Sequence, residues 1–278
     1  MSSDTKRYLE LRHRQMWLQL FSEGLNTFAT EHVKIKILNE RELPSMASSS
    51  HEVCDWICQT MDLLDSLIED KETRRNIMLC CSHAFPVDRL KELREKYHQT
   101  RDIDKLIAFM CQDDSWHGLS YYEYSQRQGN TITVTKVPFD PHGYETTKED
   151  AERRARYCHC PLIRPAIQNQ QRISPTYCLC GSGWYKTLWE GILDQPVHVE
   201  VIETIASGGD HCQFVINLPE KLKETLPIFI TSKKKNNNTK YEINTFCWYS
   251  GLEASSLNYN SLGTRITGKN IAKQLPCV

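Results

Sequence analysis

Two short cysteine pairs place the strongest constraint on how this chain folds. Cys158 and Cys160 form the first pair, and Cys178 and Cys180 form the second, with seventeen residues between the pairs. In an extended segment, residues two apart point to the same side, so each pair offers two thiols to one point in space. If the two segments are neighbours, the four thiols converge, and such a set suits a tetrahedral zinc ion or an iron–sulfur cluster. The spacing therefore predicts Cys158, Cys160, Cys178 and Cys180 as metal ligands.

The same thiols have two further interpretations. The chain contains twelve cysteines, and its first residues lack the apolar segment of a secretory signal, so we expect a cytoplasmic protein with reduced thiols. A reduced thiol is a small buried hydrophobic group, a metal ligand or a reactive group. Free buried thiols and redox or nucleophilic chemistry therefore stay open beside metal binding.

Composition excludes several classes of partner. The chain has 278 residues, of which 40% are hydrophobic and 25% charged, and its formal net charge is −1. No basic stripe runs through it, so we expect no nucleic-acid partner. No apolar run reaches the roughly 20 residues that span a bilayer, so we expect no membrane segment. Phosphate-cradling loops and glycine-rich dinucleotide motifs are missing from the sequence, which disfavours nucleotide chemistry.

The period of the hydrophobic pattern divides the chain into three parts. Residues 1–112 carry apolar stripes at helical spacing, which predict a helical bundle. In residues 113–226 the period changes to two around Gly129-Asn130 and again around 197–218, which predicts two hairpins beside a helix. Residues 227–278 are basic and rich in Asn and Lys, which predicts a partly disordered tail. The predicted fold class is α+β, with a helical bundle followed by an antiparallel-sheet domain.

Aromatic residues after the second cysteine pair suggest a ligand pocket. Trp184, Tyr185 and Trp189 recur along a predicted helix, and Glu190 supplies a polar group beside them. One interpretation is an aromatic pocket wall in which Glu190 contacts the ligand. The alternative is an amphipathic helix whose aromatic face packs on the sheet.

Other cysteines and histidines have weaker signals. Cys54 and Cys58 are four residues apart and share a helix face, and Cys80 and Cys81 lie on the next predicted helix. Core packing and a helix-borne site are both open for these four. Two further residues are candidate substitutes in the metal shell: His159, for which exposure to solvent is the alternative, and Cys212, for which core packing is the alternative.

The block from about 155 to 218 carries a resemblance to a known family. Its elements are Cys160-Pro161, Cys178, the helix that follows, and the closing segment GGDHCQFVI at 208–216. The block resembles the vinyl-reductase-type small-molecule-binding domains and the related L-2-amino-thiazoline-4-carboxylic acid hydrolase-like proteins. The resemblance implies a ligand-binding fold with cysteines beside the pocket, used in sensing, in tetrapyrrole-related proteins or in hydrolysis of a small cyclic thio-amide. The doubled cysteines depart from the single-cysteine pattern of that family, which favours metal binding.

The function expected from the sequence is binding of a metal, as zinc or iron–sulfur, or of a small molecule. One alternative is a hydrolase of a small cyclic amide or thiazoline-like substrate, in which a cysteine or a metal-bound water attacks the substrate. The other is a structural or interaction protein whose thiols only pack. Enzymatic activity therefore stays undecided at this level, and so does the oligomeric state.

Overall fold

The structure describes most of the first 222 residues. The computed structural model describes residues 3–38, 43–45, 47–83, 85–112 and 125–222, with side chains from residue 11 onward. All of them belong to one compact unit, Met1–Glu224. The predicted tail at 227–278 lies outside the described residues.

Helices make up the described part of the chain before the first strand. They are α1 (Ser3–Phe28), α2 (Glu31–Leu38), α3 (Ser50–Leu67), α4 (Lys71–Cys80), α5 (Val87–Thr100) and α6 (Ile103–Cys111). Local capping explains where two of them begin. Ser49 and Glu52 form a reciprocal capping box at the start of α3, and the Asp70 carboxylate accepts from Glu72 and Thr73 N–H at the start of α4. No helix among the described residues is long and apolar enough to cross a bilayer.

A four-stranded antiparallel sheet follows. Its strands are β1 (Gln126–Gln128), β2 (Thr131–Thr135), β3 (His198–Glu203) and β4 (Gln213–Asn217), in the spatial order β1-β2-β4-β3. Gly129 takes a φ of +60° in the β1–β2 turn, which a residue without a Cβ adopts easily. Alternate residues of β2 and β4 are buried, so one face of the sheet packs on the core. The α+β class with an antiparallel sheet is confirmed.

Short helices fill the connection between β2 and β3. They are α7 (Pro141–Thr146), α8 (Asp150–Tyr157), α9 (Arg164–Gln168) and α10 (Leu179–Leu193), with a 3-10 turn at Pro175–Cys178 before α10 and another at Ile205–Ser207 after β3. Helix α10 packs on both β3 and α4. The two cysteine pairs therefore lie on turns and helix ends in this connection.

The second cysteine pair is helical and not extended. Helix α10 begins at Leu179 and continues through Gly181, Ser182 and Gly183. A close helix–helix approach explains these small residues. A Cβ built on Gly183 would lie 2.5 Å from Ser82 Cβ and 3.2 Å from the Leu79 carbonyl oxygen. Glycine is therefore required here for packing of α10 against the end of α4, and not for a turn.

Two hydrophobic cores lie side by side. The first is built from α1 to α4 together with α8, α9 and the 3-10 turns, and it includes Trp17, Ile57 and Ile163. The second lies between the sheet and helices α5, α6 and α10, and it includes Leu106 and Trp189. Each core thus contains residues from both sides of the boundary that the sequence predicted near residue 112.

A half-buried carboxylate holds the 3-10 turn that contains Cys178. Asp65, near the end of α3, accepts hydrogen bonds from Ser174 Oγ at 2.5 Å and from Thr176 Oγ1 at 2.6 Å. Arg74 Nε lies 3.3 Å from the same carboxylate. Ser174 and Thr176 are themselves buried, so this carboxylate satisfies hydroxyl groups that have little access to water.

We expect Asp65→Ala to lower the free energy of unfolding by about 2–3 kcal/mol, because it leaves two buried hydroxyls without their acceptor. Chemical denaturation measures the change. Asp62→Ala is the matched control, since Asp62 lies one turn earlier on α3 and is exposed to solvent. Equal losses in the two variants would contradict a specific role for Asp65.

Candidate functional site

Five cysteines from separate elements lie around the connection that carries the pairs. Cys158 follows α8, Cys160 precedes α9, Cys178 ends a 3-10 turn, Cys180 is in the first turn of α10, and Cys212 precedes β4. We call these five residues the thiol cluster. Cys158 is buried and the other four are half-buried, and all five thiols are free.

The thiols of the cluster influence one another electrostatically. Burial is the main cause that raises the pKa of Cys158 well above its usual range, and Cys160, Cys212 and Cys178 raise it further. Burial, followed by the neighbouring Cys160, likewise raises the pKa of Cys180 to about 12. Because each of these influences requires proximity, the two cysteine pairs share one region of the fold.

The thiol cluster supplies the sulfur donors that a zinc ion or an iron–sulfur cluster requires, but among the described residues these donors do not form a coordination shell. Thiolate ligands suit zinc and iron–sulfur clusters. Within the described ranges, however, no group of three or more Cys, His, Asp or Glu side chains is placed to hold a metal ion. Metal binding by Cys158, Cys160, Cys178 and Cys180 therefore stays a prediction.

Among the thiols of the cluster, Cys160 has the largest number of hydrogen-bond donors around its sulfur. Its sulfur lies 2.9 Å from the Tyr177 hydroxyl. The backbone N–H groups of Leu162 and Ile163 also donate to it, and the Arg164 charge acts on it. In the thiolate form the Cys160 sulfur can only accept, so the Tyr177 O–H is then the donor. Burial still raises the pKa of Cys160, and these donors oppose the rise.

Three histidines beside the cluster are kept neutral. Burial lowers the pKa of His13 to about 3, with His83 and Arg164 adding to the effect. Burial also lowers the pKa of His83, whose ring lies edge-to-face on that of His13 with centroids 4.4 Å apart. The pKa of His159 falls to about 3, first through burial and then through the Lys136 charge. His159 Nε2 lies 2.8 Å from the Val137 carbonyl oxygen, so Nε2 carries the proton. His159 is half-buried, in contrast to the solvent-exposed alternative considered from the sequence.

Two cationic side chains flank the first cysteine pair. The Lys136 ammonium lies 5.8 Å from the Tyr185 ring centre and 5.6 Å from that of Phe214. The Arg164 guanidinium lies 4.1 Å over the Phe139 ring, and its Nε donates to the Cys158 carbonyl oxygen at 2.9 Å. Both contacts combine a cation with an aromatic face.

The aromatic residues predicted as pocket wall occupy mixed positions. Tyr185 and Trp189 are buried in the second core. Trp184 is half-buried, and its ring centre lies 4.8 Å from that of Phe85. Glu190 pairs with Lys186 and accepts from Val197 N–H at 3.0 Å, so it ties α10 to the start of β3. Among these four residues, Tyr185 lies beside Lys136, one of the two cations that flank the first cysteine pair.

Three cysteines of the helical half, Cys54, Cys58 and Cys81, lie within the first core. Cys54 and Cys58 are 1% and 3% exposed and are hydrogen-bonded to each other on α3. Cys81 is 3% exposed, and Cys80 is half-buried with its thiol 3.5 Å from the Asn76 carbonyl oxygen. The core-packing alternative accounts for these positions.

Sequence reasoning missed the charged and phenolic groups of the site. Tyr177 directly precedes the second cysteine pair, and Arg164 follows Cys160 by one helical turn, so both had a positional signal. Lys136 follows β2, His13 lies on α1, and His83 follows α4. These elements are distant from the cysteine pairs in the chain, so the three residues had no positional signal. Only the packing of these elements brings them to the thiols.

We expect alkylation of the half-buried cluster thiols by iodoacetamide to rise about tenfold per pH unit between pH 7 and 9. The thiolate is the reactive form, and the pKa values of Cys160, Cys180 and Cys212 are all raised, mainly by burial. Peptide mass mapping of quenched samples measures each rate. The same cysteines in urea are the control, and their rates should level off near about pH 8.5 to 9. A rate at Cys160 that is already constant below pH 8 would contradict the raised pKa.

Comparison with known proteins assigns no family to the chain. No protein-family model, curated protein or solved structure matches it. The likeness of residues 155–218 to vinyl-reductase-type domains therefore stays a prediction that rests on short motifs of the sequence. The function must be argued from the site itself.

Proposed function

We propose that this chain is a small-molecule-binding protein whose ligand contacts the thiol cluster. One observation carries the proposal. Half-buried thiols, neutral histidines and cations from eight different elements act on one another electrostatically near the place where the two hydrophobic cores meet. Cys212 packs against both cores, and Cys160, Cys178 and Cys180 pack against the first.

The energetic cost of this arrangement supports a ligand-binding role. Desolvating an ammonium or an imidazole is unfavourable unless a partner compensates, and an apolar set of residues would join two cores at less cost. Convergent polar groups in a partly covered region between cores are typical of binding sites for small molecules. The thiols add a soft, polarisable surface that contacts sulfur, aromatic or electrophilic groups well.

A cysteine-dependent hydrolase is the second candidate, and the donors around Cys160 favour it. In this mechanism the Cys160 thiolate forms a bond to an electrophilic carbon of an amide-like substrate. The carbon–nitrogen bond breaks, and the leaving nitrogen takes up a proton. Water then cleaves the carbon–sulfur bond and restores the thiol. Tyr177 O–H and the amides of Leu162 and Ile163 stabilise the sulfur anion before attack and after its release.

We expect iodoacetamide at pH 9 to modify Cys160 faster than the covered cysteines Cys54, Cys58 and Cys81. A small neutral reagent reaches a half-buried thiol in a ligand site, whereas Cys54, Cys58 and Cys81 are covered by the first core. Tyr177→Phe should slow the reaction at Cys160 by roughly three- to tenfold, because it removes a hydrogen bond to the thiolate. Peptide mass mapping of time-resolved samples gives the rates.

Tyr97→Phe is the matched control, since Tyr97 is 3% exposed but lies in the second core. It should leave the rate at Cys160 unchanged. The proposal is wrong if no thiol of the cluster reacts faster than Cys54 and Cys58, since the region would then be closed to small molecules. Elemental analysis of the anaerobically purified protein, done in parallel, measures the zinc or iron content that the sequence predicted.

A further inference from the structure

We propose that the ligand is a small anionic molecule, such as a carboxylate, held beside the thiol cluster by Lys136 and Arg164. This inference rests on the proposed function and names the chemical class of the ligand. It is carried by the positions of the two cationic groups and by what surrounds them.

Lys136 is tied to the thiol cluster by its neighbours in the fold. Its backbone N–H donates to the Cys212 carbonyl oxygen at 2.9 Å, and its backbone carbonyl accepts from the Tyr157 hydroxyl. Its ammonium lies over the Phe214 ring, and the edge of that ring lies 3.0 Å from the Cβ position of Gly181, in the first turn of α10. The ammonium is therefore near the turn that carries Cys180.

Arg164 approaches the same region from the other side of the first cysteine pair. Its Nε bonds to the Cys158 carbonyl oxygen, and its guanidinium covers Phe139, whose ring centre lies 5.7 Å from that of His159. Its charge acts on Cys160, and the Lys136 charge acts on Cys180. The two cations thus flank the thiols of both pairs.

The charge of this region is not balanced within the described part of the chain. There, no carboxylate oxygen lies within 4 Å of Lys136 Nζ, and the ammonium contacts only aromatic rings. The carboxylate of Glu203 acts on Cys212, but it lies 3.5 Å from His211 Nδ1. His13, His83 and His159 are neutral and add no charge of either sign.

This imbalance selects the charge of the ligand. A half-buried ammonium without a carboxylate partner gains most from an anion that replaces the water it has lost. Arg164 adds a second positive charge beside the same thiols. A small anion is therefore the matched ligand, and a bound carboxylate would lie beside Cys160 and Cys180, on which the two cations act.

Two alkylating reagents of nearly equal size test the inference. Iodoacetate carries a carboxylate and iodoacetamide a neutral amide, and in both cases the thiolate sulfur bonds to the methylene carbon while iodide leaves. The ratio of the two rates at one cysteine is independent of that cysteine's pKa, because both reagents consume the same thiolate. We expect the ratio at Cys160 to be roughly three- to tenfold higher in the folded protein than in urea, since the local cations attract the charged reagent.

Lys136→Met should lower this ratio to near its value in urea, while Lys91→Met should leave it unchanged, because Lys91 is exposed on α5. If Cys180 or Cys212 is modified in place of Cys160, the ratio at that thiol decides in the same way. A ratio in the folded protein no higher than in urea, or one insensitive to Lys136→Met, overturns the anionic ligand and leaves the proposed small-molecule site standing. If neither reagent modifies any thiol of the cluster, the region is closed, and both proposals are wrong.

Discussion

The close approach of α10 to the end of α4 is the constraint on which the rest of the site depends. At Gly183 the two helices are so near that any side chain would overlap Ser82. This contact places the first turn of α10, and Cys180 within it, against the first core. The same helix packs its opposite side on β3 and β4, so α10 joins the two cores and fixes the region between them.

Polar contacts set the positions of the turns around this helix. The Asp65 carboxylate holds the segment that leads to Tyr177 and Cys178 through two hydroxyl groups. On the other side, Arg164 and His159 hold the first cysteine pair through backbone carbonyl groups. Each of these hydrogen bonds satisfies a polar group that is shielded from water. Breaking one leaves that group unsatisfied, and this penalty is larger than the net free energy gained by forming the bond.

The electrostatics of the site follow from the competition between burial and hydrogen bonding. Burial favours neutral thiols and neutral histidines, and it dominates at every member of the thiol cluster and at His13, His83 and His159. Donors oppose it most completely at Cys160, where a phenol, two amides and a guanidinium act on one sulfur. The region is therefore poor in negative charge and rich in donors, which is the complement of a small anionic molecule.

The sequence by itself determined the elements and much of their order. Helical periodicity located the helices before residue 112, the Gly129-Asn130 turn located the first hairpin, and alternation at 197–218 located the second, because these signals depend on residues close together in the chain. It also singled out the two cysteine pairs as candidate ligands. It did not place Gly181 and Gly183 inside a helix, because the sequence alone does not distinguish a glycine needed for close packing from a glycine needed for a turn.

Only the tertiary structure decided which groups surround those cysteines. Lys136 and Cys212 meet through the pairing of β2 with β4, and His13 meets His83 through the packing of α1 against the end of α4. Such contacts join residues far apart in the chain, and nothing local encodes them. Burial, which governs every protonation state in the site, is likewise a property of the packed molecule, because it depends on what all the other elements cover.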